Sequence, residues 1–297
     1  MAEDPLGAGW WGLVGRLALF FGVGTALVLV ADASGATAWL GGALTLLWAS
    51  VLAGFAVLRL DGLPPGALGF PLHAGIPREL GLGLGLGLAL GLCATALVGL
   101  GGGLALTREA GTPLGWLAAG WHSLAFFALP AAAEEALARG YPFQVLAARF
   151  GGLPALGLTS VAFAALHLSN PDVTPLALAS LAAAGALLGM VYLRTLSLWW
   201  ASAVHLGWNW GLGFWADLPV SGLDLVDAPY LVAAPRGPTW WGGGAFGPEG
   251  GLAALIVLCA ATVWLARTGR LSPAPATLMR GPLPRLRMRH SSEGSEY

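Results

Sequence analysis

The sequence predicts an all-α integral membrane fold, a bundle of about eight transmembrane helices around an intramembrane polar cavity. Three observations predict it. Hydrophobic residues make up 57% of the 297 and charged residues only 10%, with a mean hydropathy of +0.74, whereas an ordinary soluble domain is about a quarter charged. Apolar runs recur between charges, prolines and glycine clusters, and about 20 such residues are needed to cross about 30 Å of hydrocarbon. The few ionisable residues inside those runs fall at helical spacing, so lipid-depth polar groups have neighbours to pair with.

The spans read in order as Trp10 to Ala31, Ala36 to Leu58, Glu79 to Leu104, Leu114 to Ala138, Pro154 to Leu168, Pro175 to Leu193, Ser197 to Trp215 and Gly251 to Ala266. The acidic flank before the first span and the lack of a small-residue cleavage site make it a retained helix rather than a cleaved signal. Glycines of the third span, Gly81 with Gly85 and Gly83 with Gly87 and Gly91, are spaced for close helix packing. A phosphate-binding glycine loop is a poor fit there, because no strand precedes them and no acidic residue follows at the required distance. The fifth span is short, as suits a helix that lines a cavity. Cys93 and Cys259 lie inside apolar runs and read as small core hydrophobes.

Orientation follows from charge, since basic residues in short loops stay on the cytoplasmic side. All fourteen basic residues are Arg, a bias that points to a GC-rich bacterial coding sequence. Eight spans with both termini cytoplasmic put Arg16, Arg59, Arg78, Arg139, Arg149, Arg194 and the Arg residues of the tail inside, and only Arg108 and Arg236 outside. Residues 1–267 form the transmembrane domain. The remainder, 268–297, has the Pro, Ser and Arg composition of a disordered basic cytoplasmic tail suited to anionic headgroups. A net charge of −1 argues against a nucleic-acid partner, leaving the lipid bilayer and membrane-associated proteins or peptides.

Chemistry is concentrated on three spans. Glu135 and Arg139 are one turn apart with Glu on the N-terminal side, the favourable order for a helical ion pair. Glu134 is turned about 100° away and lacks that partner. A lone carboxylate in a low-dielectric bundle suits a general base or acid, although a structural ion pair with Glu134 facing water fits the same spacing. His205 and Asn209 share one helix face, as do Phe163 and His167. His122, alone, reads as an interhelical hydrogen-bonding residue. Two Glu, two His and one Asn in a chain with little other buried charge call for a shared cavity.

Three segments carry a resemblance. Glu134-Glu135-Ala-Leu-Ala-Arg139 has the form EExxxR, Phe163-Ala-Ala-Leu-His167 the form FxxxH, and His205-Leu-Gly-Trp-Asn209 the form HxxxN. In this order they resemble the CPBP family of intramembrane proteases, which contains the type II CAAX prenyl endopeptidases and bacteriocin-processing, Abi-like proteins. The loop segments Pro219–Gly222 and Gly243–Glu249 are also similar to bacterial members, so the likeness covers 114–266. It implies an intramembrane endopeptidase in a multi-pass cell-membrane protein, acting on a membrane-associated protein or peptide. By that resemblance Glu134 with His167 activates water, His205 with Asn209 stabilises the oxyanion, and Glu135 with Arg139 supports Glu134. It implies no cofactor, although Glu134, His167 and His205 are also a possible zinc set. A non-catalytic immunity or scaffold protein retaining the cavity is the alternative.

The depth of Glu134 depends on the fourth helix. The residue lies near a membrane face if the helix stops at Arg139, and mid-bilayer if a kinked helix continues past Pro142 to Arg149.

Overall fold

Within lipid, backbone N–H and C=O groups must be satisfied inside their own segment, so apolar runs of this length become helices. A computed structural model describes residues 10–229 and 231–280, which are mostly helical. The principal helices are α1 (Trp10–Ala33), α2 (Gly42–Leu60), α3 (Ile76–Leu100), α4 (Pro113–Arg139), α5 (Tyr141–Phe150) and α6 (Gly152–Ala165). They are followed by α7 (Pro175–Thr195), α8 (Leu198–Trp210), α9 (Leu252–Arg267) and the short α10 (Pro275–Arg280). Five stretches are long and apolar enough to cross a membrane: Gly12–Ala33, Gly42–Leu60, Ile76–Leu100, Pro113–Phe150 and Pro175–Thr195. They mark the chain as a multi-pass membrane protein. α6 and α9 are shorter apolar helices, and α8 continues as a π-helical turn over Gly211–Trp215.

Local chemistry sets the helix ends. α4 and α7 begin alike: Thr112 and Thr174 each accept a backbone N–H at 3.1 Å, from Gly115 and Ala177, and Pro113 and Pro175 follow at the first helical position. Thr caps an otherwise orphaned donor there, and Pro loses nothing because its missing N–H would have been unpaired. α4 stops at Gly140, and Pro142 opens α5, which continues the same 38-residue apolar stretch. Arg139 reaches the Gly185 carbonyl in the middle of α7 at 2.8 Å. The helix breaks at Gly140 and a second one follows, so Glu134 lies inside this apolar stretch rather than at its end.

α3 and α8 approach each other closely along their backbones. A Cβ on Gly87 would lie 2.0 Å from Val204 O, and one on Gly207 would lie 2.2 Å from Leu84 O. Such contact needs small residues on both helices. Gly83 and Gly91 extend the seam along Ala203 and Trp208. A Cβ on Gly81 or Gly85 would meet nothing within 4 Å, so only one of the two expected glycine stripes packs. The seam holds α8, which carries His205 and Asn209, against the bundle.

Polar ties at one end of the bundle join the turns after α2, α4 and α7. Asp61 accepts from Arg16 Nε at 2.9 Å and from the Tyr141 hydroxyl at 2.7 Å. Gln144 Nε2 donates to Leu68 O at 3.1 Å, Leu198 N–H to Gly69 O at 2.7 Å, and the Arg194 guanidinium to Ala266 O. Two strands join elsewhere: β1 (Leu104–Arg108) pairs antiparallel with β2 (Leu231–Pro235). Arg236 N–H donates to Gly103 O beside them.

Several expectations need correction. The third apolar run ends its helix at Leu100 and supplies the first residue of β1, Leu104, because its partner strand, remote in sequence, satisfies the backbone. The fifth ends at Ala165, so His167 sits in the turn beyond the helix. Cys93 and Cys259 are exposed on the outside of the helices rather than in the core, and His122 is exposed too. The N-terminal flank and most of the basic tail, 281–297, fall outside the described residues, and 268–280 includes α10.

The glycine seam makes one prediction. Gly87→Leu should lower stability in detergent by about 3 kcal/mol or more, since a side chain there must displace backbone. Gly85→Leu, facing open space, should melt within a few degrees of the wild type.

Candidate active site

Glu135 is fully buried, as is Arg139, and the two pair one helical turn apart at 3.0 Å, Arg139 Nη1 to Glu135 Oε1. The guanidinium also donates through Nη2 to Gly185 O and lies over the Phe163 ring, 4.7 Å from its centroid. Gly185 makes the approach possible, since a Cβ there would fall 3.3 Å from Nη2 and 2.9 Å from Ser160 Cα. The same Glu135 Oε1 lies 3.1 Å from His205 Nδ1. A carboxylate paired with a guanidinium only accepts hydrogen bonds, so Nδ1 carries the proton and the ring is fixed on α8.

His205 turns its other nitrogen towards Glu134. Its Nε2 is 3.8 Å from Glu134 Oε2, and that oxygen has no hydrogen-bond partner among the described residues. The Glu134 side chain is 26% exposed, against 0% for Glu135. Adjacent carboxylates thus have opposite surroundings because successive helical residues point about 100° apart. One carboxylate is consumed by a buried ion pair and the other opens into a cavity.

His167 Nδ1 meets Phe163 O at 2.9 Å. A carbonyl only accepts, so Nδ1 carries the proton here as well, and Nε2 presents a lone pair. The Phe163 ring touches both histidines, with centroids 5.0 Å from His167 and 5.9 Å from His205. Although His167 has left the helix, the FxxxH spacing still places it, because the carbonyl of Phe163 at the end of α6 accepts from the residue four along.

Glu134, His167, His205 and Asn209 line one cavity of about 400 Å³. Its other walls are mostly apolar, including Leu46, Phe127, Pro130 and Leu137. Residues from the long loop after α8, Val220, Ser221, Leu223 and Leu225, close one side. Asp217, where that loop begins, accepts the Ala228 N–H at 3.1 Å, and burial lifts its carboxyl above the ordinary carboxylate range. Two groups emerge that the motif segments did not include, Asn170 and the Gly185 carbonyl. Within those segments Phe163 emerges as a shared platform and Glu249 as a buried carboxylate, neither with a role read from spacing. A glycine in mid-helix opposite a buried Arg was the available signal for the Gly185 carbonyl. The others depend on tertiary contacts.

Residues 116–211 match the family described as type II CAAX prenyl endopeptidase, Rce1-like. The match covers 96 of the 297 residues, and over that segment the chain is similar to this family. The matched segment runs from α4 to the end of α8 and contains Glu134, Glu135, Arg139, His167, His205 and Asn209. Rce1-like proteins are glutamate-type intramembrane proteases and need no metal. No curated protein matches the chain. The zinc reading of Glu134, His167 and His205 finds no support, because among the described residues no three His, Cys, Asp or Glu side chains are grouped to hold a metal ion.

Within the matched segment the Glu135–Arg139–His205 unit is buried deeply enough for its loss to be felt in stability. Glu135→Gln should cost about 3–5 kcal/mol, the range for removing one partner of a buried pair, because Arg139 stays charged without its counter-ion. Thermal melting in detergent checks this. Glu134→Gln, at a partly exposed site with no hydrogen bond on Oε2 to lose, should melt close to the wild type.

Proposed function

We propose that this protein is an intramembrane endopeptidase in which Glu134 activates water against a peptide bond of a membrane-associated protein or peptide. One observation carries the reading: an unpaired Glu134 oxygen faces His205 Nε2 across 3.8 Å, in a cavity that His167 and Asn209 also line. The arrangement provides a base and oxyanion donors without a covalent nucleophile.

In the proposed reaction a water held between Glu134 and the His167 Nε2 lone pair attacks the scissile carbonyl carbon. Its proton passes to Glu134 as the new C–O bond forms. The resulting oxyanion accepts hydrogen bonds from Asn209 Nδ2 and from His205 Nε2 in the doubly protonated ring, whose Nδ1 remains on Glu135. Glu134 then returns the proton to the amine nitrogen as the C–N bond breaks, releasing an acid and an amine. Glu135 and Arg139 take no part in proton transfer. They hold His205 and fix the rotation of α4, which aims Glu134.

The proposed topology has eight crossings, with the cavity at lipid depth. Each of the eight apolar runs contains a helix, and Glu134 lies inside the long Pro113–Phe150 stretch. The polar ties among the turns after α2, α4 and α7 gather Arg-bearing connections at one end, while Arg108 and Arg236 accompany the strands. Under the charge rule the former end is cytoplasmic, in a bacterial cell membrane. Reporter fusions after Tyr297 and beside Arg236 should then lie on opposite sides, and the same side for both would remove one crossing.

The decisive variant is Glu134→Gln. The amide is nearly isosteric but cannot take a proton from water, so peptide cleavage should fall by about 10² to 10⁴ with the fold intact. Cleavage at the wild-type rate would overturn the mechanism and favour a binding protein that retains the cavity.

A further inference from the structure

Glu249 lies outside the residues to which the proposed reaction gives a role, and it is buried, with 5% of its surface exposed. A carboxylate in such a place needs several donors. It has three: Trp208 Nε1–H at 2.8 Å, Ser221 N–H at 2.6 Å and the Ser221 hydroxyl at 2.8 Å. Trp208 is the neighbour of Asn209 on α8. Ser221 is part of the loop that closes the cavity.

That loop makes a tight turn at this point. Val220 and Leu223 exchange both backbone hydrogen bonds, at 2.9 and 3.0 Å, and the two residues between them, Ser221 and Gly222, have φ of 51° and 82°. Serine adopts this left-handed conformation at a cost, so the surroundings must hold it. Ser221 O accepts from Asn170 Nδ2 at 2.8 Å, and Gly222 N–H donates to Phe246 O at 2.9 Å. Asn170 belongs to the turn that carries His167, and its backbone N–H donates to His167 O at 3.0 Å. The turn is therefore fastened on one side to the His167 segment and on the other, through Glu249, to the helix of His205 and Asn209. Glu249 and Ser221 also share a narrow void of about 20 Å³ with His167 and His205.

We propose that Glu249 is a positioning residue of this site, holding the Val220–Leu223 turn as a fixed wall of the cavity in register with both histidines and Asn209. The role rests on the proteolytic reading above. A peptide seated against Val220, Ser221 and Leu223 keeps its scissile carbonyl at a set distance from Glu134. Release of the carboxylate's grip lets the wall drift, and small misplacements of this kind are costly in rate.

The test uses the purified full chain in detergent and a cleavable peptide, with Glu249→Gln, Ser221→Ala and their combination. The amide of Glu249→Gln can still accept from Trp208, but its NH2 cannot accept from the Ser221 N–H. The expected result is a fall in kcat of about ten- to a hundredfold with KM within about threefold of wild type. Ser221→Ala should lose less, and adding it to Glu249→Gln should cost little more, since both act through one contact. Ser221→Gly keeps the N–H and relaxes the left-handed φ, so it should retain more activity than Ser221→Ala. Hydrogen exchange should quicken at 220–223 in Glu249→Gln, with α4 and α8 still protected. Unchanged kcat, or exchange that quickens throughout the bundle, would overturn the positioning role while wild-type cleavage stands. A wild-type chain that cleaves no peptide would instead overturn the proteolytic reading and this role with it.

Discussion

A fully buried carboxylate cannot stay ionised in a helical membrane bundle without a partner, and Glu135 has two, Arg139 and His205. The pairing dictates much else. Arg139 must lie one turn along α4, α7 must offer a carbonyl at a residue small enough to approach, and α8 must bring a histidine to the other side. Gly185 and the α3–α8 glycine seam meet these needs. Once Glu135 is committed, the pitch of the helix carries Glu134 to a different face, where it is partly exposed and its Oε2 is unpaired. Two neighbouring residues of one type thus acquire different tasks from geometry alone. Removing Glu135 harms the frame, whereas removing Glu134 harms only what the frame presents.

The two histidines are distinguished in the same way. Each has Nδ1 engaged, His167 by a neutral carbonyl and His205 by a carboxylate. The partner of Nδ1 fixes the tautomer and orientation of the ring, and with them what Nε2 offers to a substrate. Phe163 lies against both rings and under the Arg139 guanidinium, so one aromatic side chain couples the ion pair to the cavity. The Ser221 turn adds a further wall, held by Asn170 and Glu249 rather than by helix packing.

Helices and the local pairings along them were legible in the sequence because both depend on short-range periodicity. The Glu135–Arg139 pair, the separate direction of Glu134 and the one-turn spacing of His205 and Asn209 could all be read from residue numbers. The seam of Gly83, Gly87 and Gly91 was legible as a packing stripe, but its alternative through Gly81 and Gly85 was equally regular. Only the neighbouring helix distinguishes them. Sequence spacing could not show that His205 would sit on Glu135, since the two lie on helices remote in sequence. The β1–β2 pairing and the Glu249–Ser221 contact were hidden for the same reason. The end of α6 before His167 was missed because the apolar run continues past it, while the carbonyl of Phe163 reproduces the helical spacing that the motif suggested.

Water activated by a glutamate, which a buried ion pair and two histidines hold in place, is the chemistry on which the proposed activity turns. Cleavage of a peptide library by the purified full chain, with and without a strong divalent-metal chelator, tests this most directly. Discrete peptide products, formed at the same rate in both samples, are the expected result. No cleavage of any peptide, or cleavage that the chelator abolishes and added zinc restores, would contradict it.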